Sequence, residues 1–250
     1  MTKTDPTYSA LAPALARATP LDVVRSLLFY VAFYLGTVLY VILTLLASLI
    51  GDAILGRVVR NWSCYHRFCA RWLLGIRVVV EGRFPDGREG NGVLVAIKHE
   101  SFYEAIDLPA LMHRPAPFPK AELAELPGWG WAARRYGAVV VQRGEGAKAL
   151  RAMVTSARGF AAQGRPLAIF PEGTRVPTGN QPPLQSGFAG LYKLLGLPVV
   201  PVAVNSGRLY HRRWKKPGVI TVRVGERIEP GRPREEVEAL VHAAINVLNV

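Results

Sequence analysis

The stretch Ile97-Lys98-His99-Glu100-Ser101-Phe102-Tyr103-Glu104 sets a histidine and a carboxylate five positions apart at the end of an apolar run. A carboxylate hydrogen-bonded to one imidazole nitrogen fixes the tautomer and supports positive charge on the ring. The other nitrogen can then take a proton from an attacking hydroxyl. Transfer of an acyl group from a thioester to an alcohol needs that one base and no enzyme nucleophile. The same residues carry a second reading, because Ser101-x-x-Glu104 is also a capping box in which Glu104 serves a helix terminus. Asp107, one turn further on, is an alternative partner for His99.

Two further constellations are cationic. Leu167-Ala-Ile-Phe170-Pro171-Glu172-Gly173-Thr174-Arg175 runs an apolar strand into a Pro-Glu-Gly turn that ends on an arginine. Gly173 lets the backbone bend sharply, and Arg175 can hold a phosphate in a bidentate fork. Lys120 and Arg143 each follow a turn or strand and can face the same rim, making a pocket for one anionic group. Other chemistries lack their residues. There is no G-x-S-x-G elbow to activate Ser101 or Ser186, and no GxxxxGK[ST] phosphate loop. Cys64 and Cys69, the two cysteines, have no zinc-ligand spacing and read as free thiols, so no metal is expected.

These groups need a scaffold that brings strand exits together. From residue 76, short β-branched runs occur at Ile76–Val80, Val93–Ile97, Ala138–Val141, Leu167–Phe170, Val199–Val204 and Val219–Val224. Helical patterns lie between them near Tyr103–His113, Gly144–Gln163, Phe188–Leu195 and Arg234–Leu248. Such alternation predicts an α/β fold with a largely parallel sheet covered on both faces by helices. Active sites of these sheets gather in loops at the carboxyl ends of strands, where all three constellations fall. Asn91-Gly92 reads as a turn and Val176–Pro183 as a loop.

The N-terminal 75 residues differ. Leu27–Ile50 carries no charge over 24 residues, a helix of about 36 Å that matches a hydrocarbon core of about 30 Å. The Asp- and Pro-containing leader before it does not suit a cleaved signal peptide. In Asp52–Ile76, Arg57, Arg60, Arg67 and Arg71 recur at helical spacing beside Trp62 and Trp72. That pattern suits an interfacial helix whose arginines face lipid phosphates. The arginine excess after Ile50 puts the remainder of the chain on the cytoplasmic side of the inner membrane. It does so whether the first segment spans or the two form a hairpin in one leaflet. The expected division is a leader with membrane-associated helices over 1–75 and a catalytic domain over 76–250. The net charge of +13 calls for an acidic partner. No recognition motif points to nucleic acid, which leaves anionic membrane lipid or an acidic carrier protein.

Taken in order, these blocks resemble the lysophosphatidic acid acyltransferase family of glycerolipid synthesis. Its histidine-plus-acid motif is matched by His99 and Glu104, with glutamate where aspartate is usual. Its second region is matched by Lys120-Ala-Glu-Leu123 and Gly137 to Arg143, with Gln142 where an aspartate often stands. Phe170 to Arg175 matches the third motif and Val200-Pro-Val-Ala-Val204 the fourth. The resemblance covers about residues 76–207. It implies the glycerolipid acyltransferase fold, with His99 as general base and Glu104 as its orienting carboxylate. By the same resemblance Lys120, Arg143 and Arg175 hold the acceptor phosphate and Glu172 and Gly173 shape the turn, with Thr174 counted among the substrate-binding residues. The implied substrates are lysophosphatidic acid and an acyl thioester of coenzyme A or acyl carrier protein, used as a co-substrate with no further cofactor. The product is phosphatidic acid. Another lysolipid acceptor, such as a lyso-ornithine lipid, and a non-catalytic lipid-binding protein of the same fold are the alternatives.

Overall fold

In the computed structural model, residues 17–85, 92–140 and 146–249 are described. A six-stranded sheet has the strand order β1-β6-β5-β2-β4-β3. The strands are β1 (Ile76–Glu81), β2 (Leu94–Ile97), β3 (Ala116–Pro117), β4 (Leu167–Ile169), β5 (Val199–Val204) and β6 (Gly218–Val224). All pairings are parallel except β5 with β6, so the largely parallel sheet expected from the strand–helix alternation is present in mixed form.

Alternation along β2 explains why both faces must be covered. Val93, Val95 and Ile97 point into one core and Leu94 and Ala96 into the other. A strand so buried reads as an unbroken apolar run. The second core is closed by α6 (Gly146–Ala161), α7 (Ser186–Leu195) and α9 (Arg234–Ile245), the short α8 (Gly207–Tyr210) lying between β5 and β6 in the chain. From α9, Val237, Val241 and Ile245 project one turn apart onto it.

The first core is closed by α1 (Pro20–Ile50), α2 (Asp52–Cys69) and α3 (Phe102–Leu111). Helix α1 starts on a capping box, Thr19 with Asp22, with Pro20 as its first residue. It stops at Gly51, whose φ of 150° favours glycine and reverses the chain into α2. α2 continues through a π-turn, Ala70–Leu74, and ends on the left-handed Gly75. The two helices form an antiparallel pair. Phe33 stacks on Trp62, and the Tyr65 hydroxyl donates to the Ala32 carbonyl at 2.8 Å. A Cβ at Gly36 would meet the Tyr65 ring at 2.2 Å, so only glycine lets the helices approach this closely.

Among the described residues α1 is the one helix long and apolar enough to cross a membrane. It is fastened to the rest of the chain at both ends. Asp22 pairs with Lys216 at 2.5 Å, Tyr30 donates to the Arg213 carbonyl at 2.6 Å, and the Ser48 carbonyl accepts from Arg135 at 3.4 Å. Phe29 and Phe33 enter the first core, while Leu28, Val31, Leu35, Val38, Ile42 and Leu49 form an exposed stripe on the opposite side.

One expected strand does not form among the described residues. Residues 138–140 are irregular and residue 141 lies outside the described residues. The chain leaves α5 (Trp129–Tyr136) through the left-handed Gly137, and Val139 makes a backbone bond to Pro117 at 2.9 Å. That segment therefore only grazes the edge strand β3, which itself is two residues long. The Asn91 turn also lies outside the described residues, whereas 176–183 is a loop as expected.

Candidate active site

β2 ends at Ile97, and the next two residues already belong to the site. His99 is followed by Ser101, which caps α3 by accepting from the Tyr103 amide at 3.0 Å. That cap turns the chain back so that Glu104, in the first helical turn, lies beneath the imidazole. His99 Nδ1 and Glu104 Oε1 are 3.0 Å apart. With Nδ1–H donating to the carboxylate, Nε2 is left as the acceptor. The imidazole stacks on Phe170, centroids 4.1 Å apart, so the strand-turn after β4 clamps it from the other side. The histidine side chain is 15% exposed and Glu104 1%. The imidazole is thus partly open to solvent while its partner is buried.

Glu104 does both things its position allows. Oε1 accepts from the Glu100 and Ser101 amides, each at 2.6 Å, as well as from His99. Oε2 accepts from the hydroxyls of Ser206 at 2.6 Å and Ser101 at 2.9 Å. Burial works to raise its pKa, but the bonds from His99, Ser206 and Ser101 outweigh that and hold it below its ordinary value. Capping and contact with the histidine are one arrangement. Asp107 is engaged elsewhere: it forms a bidentate pair with Arg67 of α2, at 2.5 and 2.8 Å.

The Pro-Glu-Gly turn locks onto the same place. Glu172 is buried; its Oε2 accepts from the His99 amide at 3.1 Å and its Oε1 from Lys98 Nζ at 2.6 Å. Lys98, fully buried, also donates to Asn246 Oδ1 at 2.8 Å and to the Asn180 carbonyl at 3.2 Å. A buried ion pair is tolerated only when its remaining hydrogen bonds are filled, as they are here. Gly173, at φ 68°, closes the turn with a bond to the Phe170 carbonyl at 3.0 Å. Thr174 and Arg175 are exposed. The Arg175 guanidinium lies 4.0 Å over the Phe102 ring, and Val176 donates to the His99 carbonyl at 2.7 Å. The arginine is thereby held beside the histidine.

Of the other expected cations, one is described and stands apart from this cluster. Lys120 is the N-cap residue of α4 (Ala121–Ala124) and makes no hydrogen bond or ion pair with the other site groups among the described residues. Arg143 lies outside the described residues.

Three groups were not singled out from sequence. Ser206 follows β5, whose pairing with β2 puts its exit beside that of His99. A serine after an apolar strand is an ordinary sight, and only the strand order reveals it. Lys98 carried a faint signal, a charge at the end of an all-apolar strand. Glu100 is fully buried: its Oε2 accepts from the Gly207 amide at 2.7 Å, while Oε1 has no partner among the described residues. Burial, with the nearby Glu104 charge adding to it, pushes its pKa up to about 7.

The comparisons with known proteins place this α/β chain among the acyltransferases. The Acyltransferase family profile matches residues 76–205, and the chain belongs to that family. It is 30% identical over 81% of its length to the 1-acyl-sn-glycerol-3-phosphate acyltransferase of Pseudomonas aeruginosa, covering 79% of that protein. Against the alpha form of the same-named enzyme from Mus musculus it is 30% identical over 78% of the chain and 70% of the relative. These relatives bear out the resemblance to the lysophosphatidic acid acyltransferases. The fold matches the crystal structure of the 1-acyl-sn-glycerophosphate acyltransferase from Thermotoga maritima. There the TM-score is 0.73 at 23% identity, over 90% of this chain and 94% of that one.

Proposed function

We propose that this acyltransferase moves a fatty acyl group from an acyl thioester to the sn-2 hydroxyl of 1-acyl-sn-glycerol 3-phosphate, giving phosphatidic acid. The observation that carries this is the His99–Glu104 contact, which leaves Nε2 as the acceptor, with Arg175 held over the neighbouring Phe102 ring. His99 Nε2 takes the hydroxyl proton as the oxygen attacks the thioester carbonyl. The tetrahedral adduct collapses with cleavage of the carbon–sulfur bond, and the imidazolium returns its proton to the departing thiolate. Glu104 compensates the transient positive charge without itself being protonated. Arg175 binds the acceptor phosphate, with Lys120 and Arg143 as further cations once substrate is present. Glu172, Gly173 and Thr174 set the turn that presents Arg175. The relatives' names support lysophosphatidic acid as acceptor. The donor is the thioester of coenzyme A or of acyl carrier protein.

The protein works at the cytoplasmic face of the inner membrane, with α1 lying in one leaflet. Support comes from the exposed apolar stripe of α1 and from its attachment to the catalytic body at Asp22 and Ser48. Attachment at both ends to one body supports a helix that lies along the membrane with that body.

A lysolipid panel in detergent tests the substrate. Purified protein should turn over lysophosphatidate well ahead of zwitterionic lysolipids. Dominant turnover of a zwitterionic lysolipid or a lyso-ornithine lipid contradicts the assignment.

A further inference from the structure

A basic cavity lies apart from His99, which does not line it. It has a volume of about 380 Å³, at the junction of the π-turn after α2, the starts of β1 and β6, and α3. Arg67, Arg71 and Arg77 line it together with Tyr103, Val79 and Val219. None of these side chains is hydrogen-bonded to, or stacked on, His99, Glu104 or Arg175. Arg67 is paired with Asp107, but Arg71 and Arg77 have no acidic partner among the described residues. Tyr103 is 1% exposed, and its hydroxyl has no hydrogen-bond partner among the described residues. Three arginines and a tyrosine with an unpartnered hydroxyl thus line the cavity, and among the described residues one of the arginines has a carboxylate partner, Asp107.

The surroundings are apolar rather than watery. Phe68 and Trp72 are exposed beside the cavity, with Arg71 5.8 Å from the Trp72 ring, and Val79, Val80 and Val219 are exposed on the neighbouring strands. Arginine beside tryptophan above exposed aliphatic side chains is the arrangement that suits headgroup depth. A soluble anion would explain the guanidiniums but not this rim. We propose that the cavity binds the phosphodiester headgroup of an anionic membrane phospholipid, at a site separate from the catalytic cleft. The bidentate geometry of arginine suits the phosphate oxygens, and the lipid chains leave along Phe68 and Trp72. This rests on the membrane reading of the N-terminal helices above.

The test compares two double variants of the full chain in vesicle partitioning. R71A/R77A removes two cavity arginines; R57A/R60A removes two exposed arginines of α2 that do not line the cavity. General attraction to a charged surface treats the pairs alike, because each loses two charges. The headgroup site predicts that R71A/R77A lowers partitioning into phosphatidylglycerol-containing vesicles about tenfold more than R57A/R60A. That excess should vanish when oleate supplies the same surface charge. Equal losses in the two pairs, persistence of the excess on oleate vesicles, or release by millimolar inorganic phosphate overturns the site. Failure of the wild-type chain to bind either vesicle overturns the membrane reading itself. Transfer to detergent-dispersed acceptor should be unchanged in both pairs.

Discussion

Replacing Glu104 by glutamine removes one charge and little else. The carboxylate accepts three N–H bonds on Oε1 and two hydroxyl bonds on Oε2. A glutamine oxygen in the Oε1 place keeps the three N–H donors, including His99 Nδ1–H. Its amide then faces Ser101 and Ser206, whose hydroxyls can rotate to accept. Cap, fold and tautomer should survive. The compensating charge beneath the imidazolium is lost. Unit charges 3.0 Å apart attract by roughly 5–6 kcal/mol at an effective dielectric near 20, an upper bound for this pair. With relaxation, a loss of about 3–4 kcal/mol is expected, or about 10²–10³-fold in kcat, within the range for general-base assistance. The assay is steady-state transfer to lysophosphatidate, with thermal unfolding measured alongside. Glu104→Gln activity within threefold of wild type, at unchanged Tm, would refute the argument that Glu104 supports a charged His99.

Ser206→Ala deletes one hydroxyl donor to a buried carboxylate, worth about 1–2 kcal/mol because Ser101 remains on the same oxygen; kcat should fall about 5–30-fold with little change in KM. Glu100 binds a proton in the folded protein between its ordinary pKa of 4.5 and about 7, whereas the unfolded chain has released it. Folding therefore takes up a proton in that window, and stability falls as pH rises through it, by up to roughly 3 kcal/mol. Glu100→Gln removes this slope, so the Tm advantage of the variant over wild type should grow between pH 5 and pH 7.5. Asp107→Asn breaks the pair to Arg67, which is about a third exposed at 31% against 1% for its partner; stability should drop by about 2–3 kcal/mol in chemical denaturation while kcat of folded protein changes less than threefold.

The parts of the site legible in sequence are those carried by local spacing. Ser101 and Glu104 fall in one helical turn, so a capping box and a carboxylate under His99 follow from the same three-residue interval. Phe170 to Arg175 is likewise one turn, and its glycine adopts the positive φ that the bend requires. What depends on strand order was hidden. Ser206 lies more than a hundred positions after Glu104 and reaches it because β5 pairs with β2. The choice between Glu104 and Asp107 was equally out of reach, since Arg67 arrives from α2 through tertiary packing. The expected strand at 138–141 misled because Val139 is apolar for burial in the second core and makes one backbone bond to the edge strand rather than a ladder. The charge-free run from Leu27 gave its helix correctly, yet the polar fastenings at Asp22 and Ser48 involve residues scattered across the chain.

The central claim is that His99 Nε2 removes the acceptor proton. Its most direct test is single-turnover acyl transfer to lysophosphatidate by purified His99→Ala, with folding checked by thermal unfolding and vesicle binding. The account predicts transfer reduced at least about a thousandfold, with Tm and membrane association close to wild type. Transfer near the wild-type rate in a folded variant would contradict it.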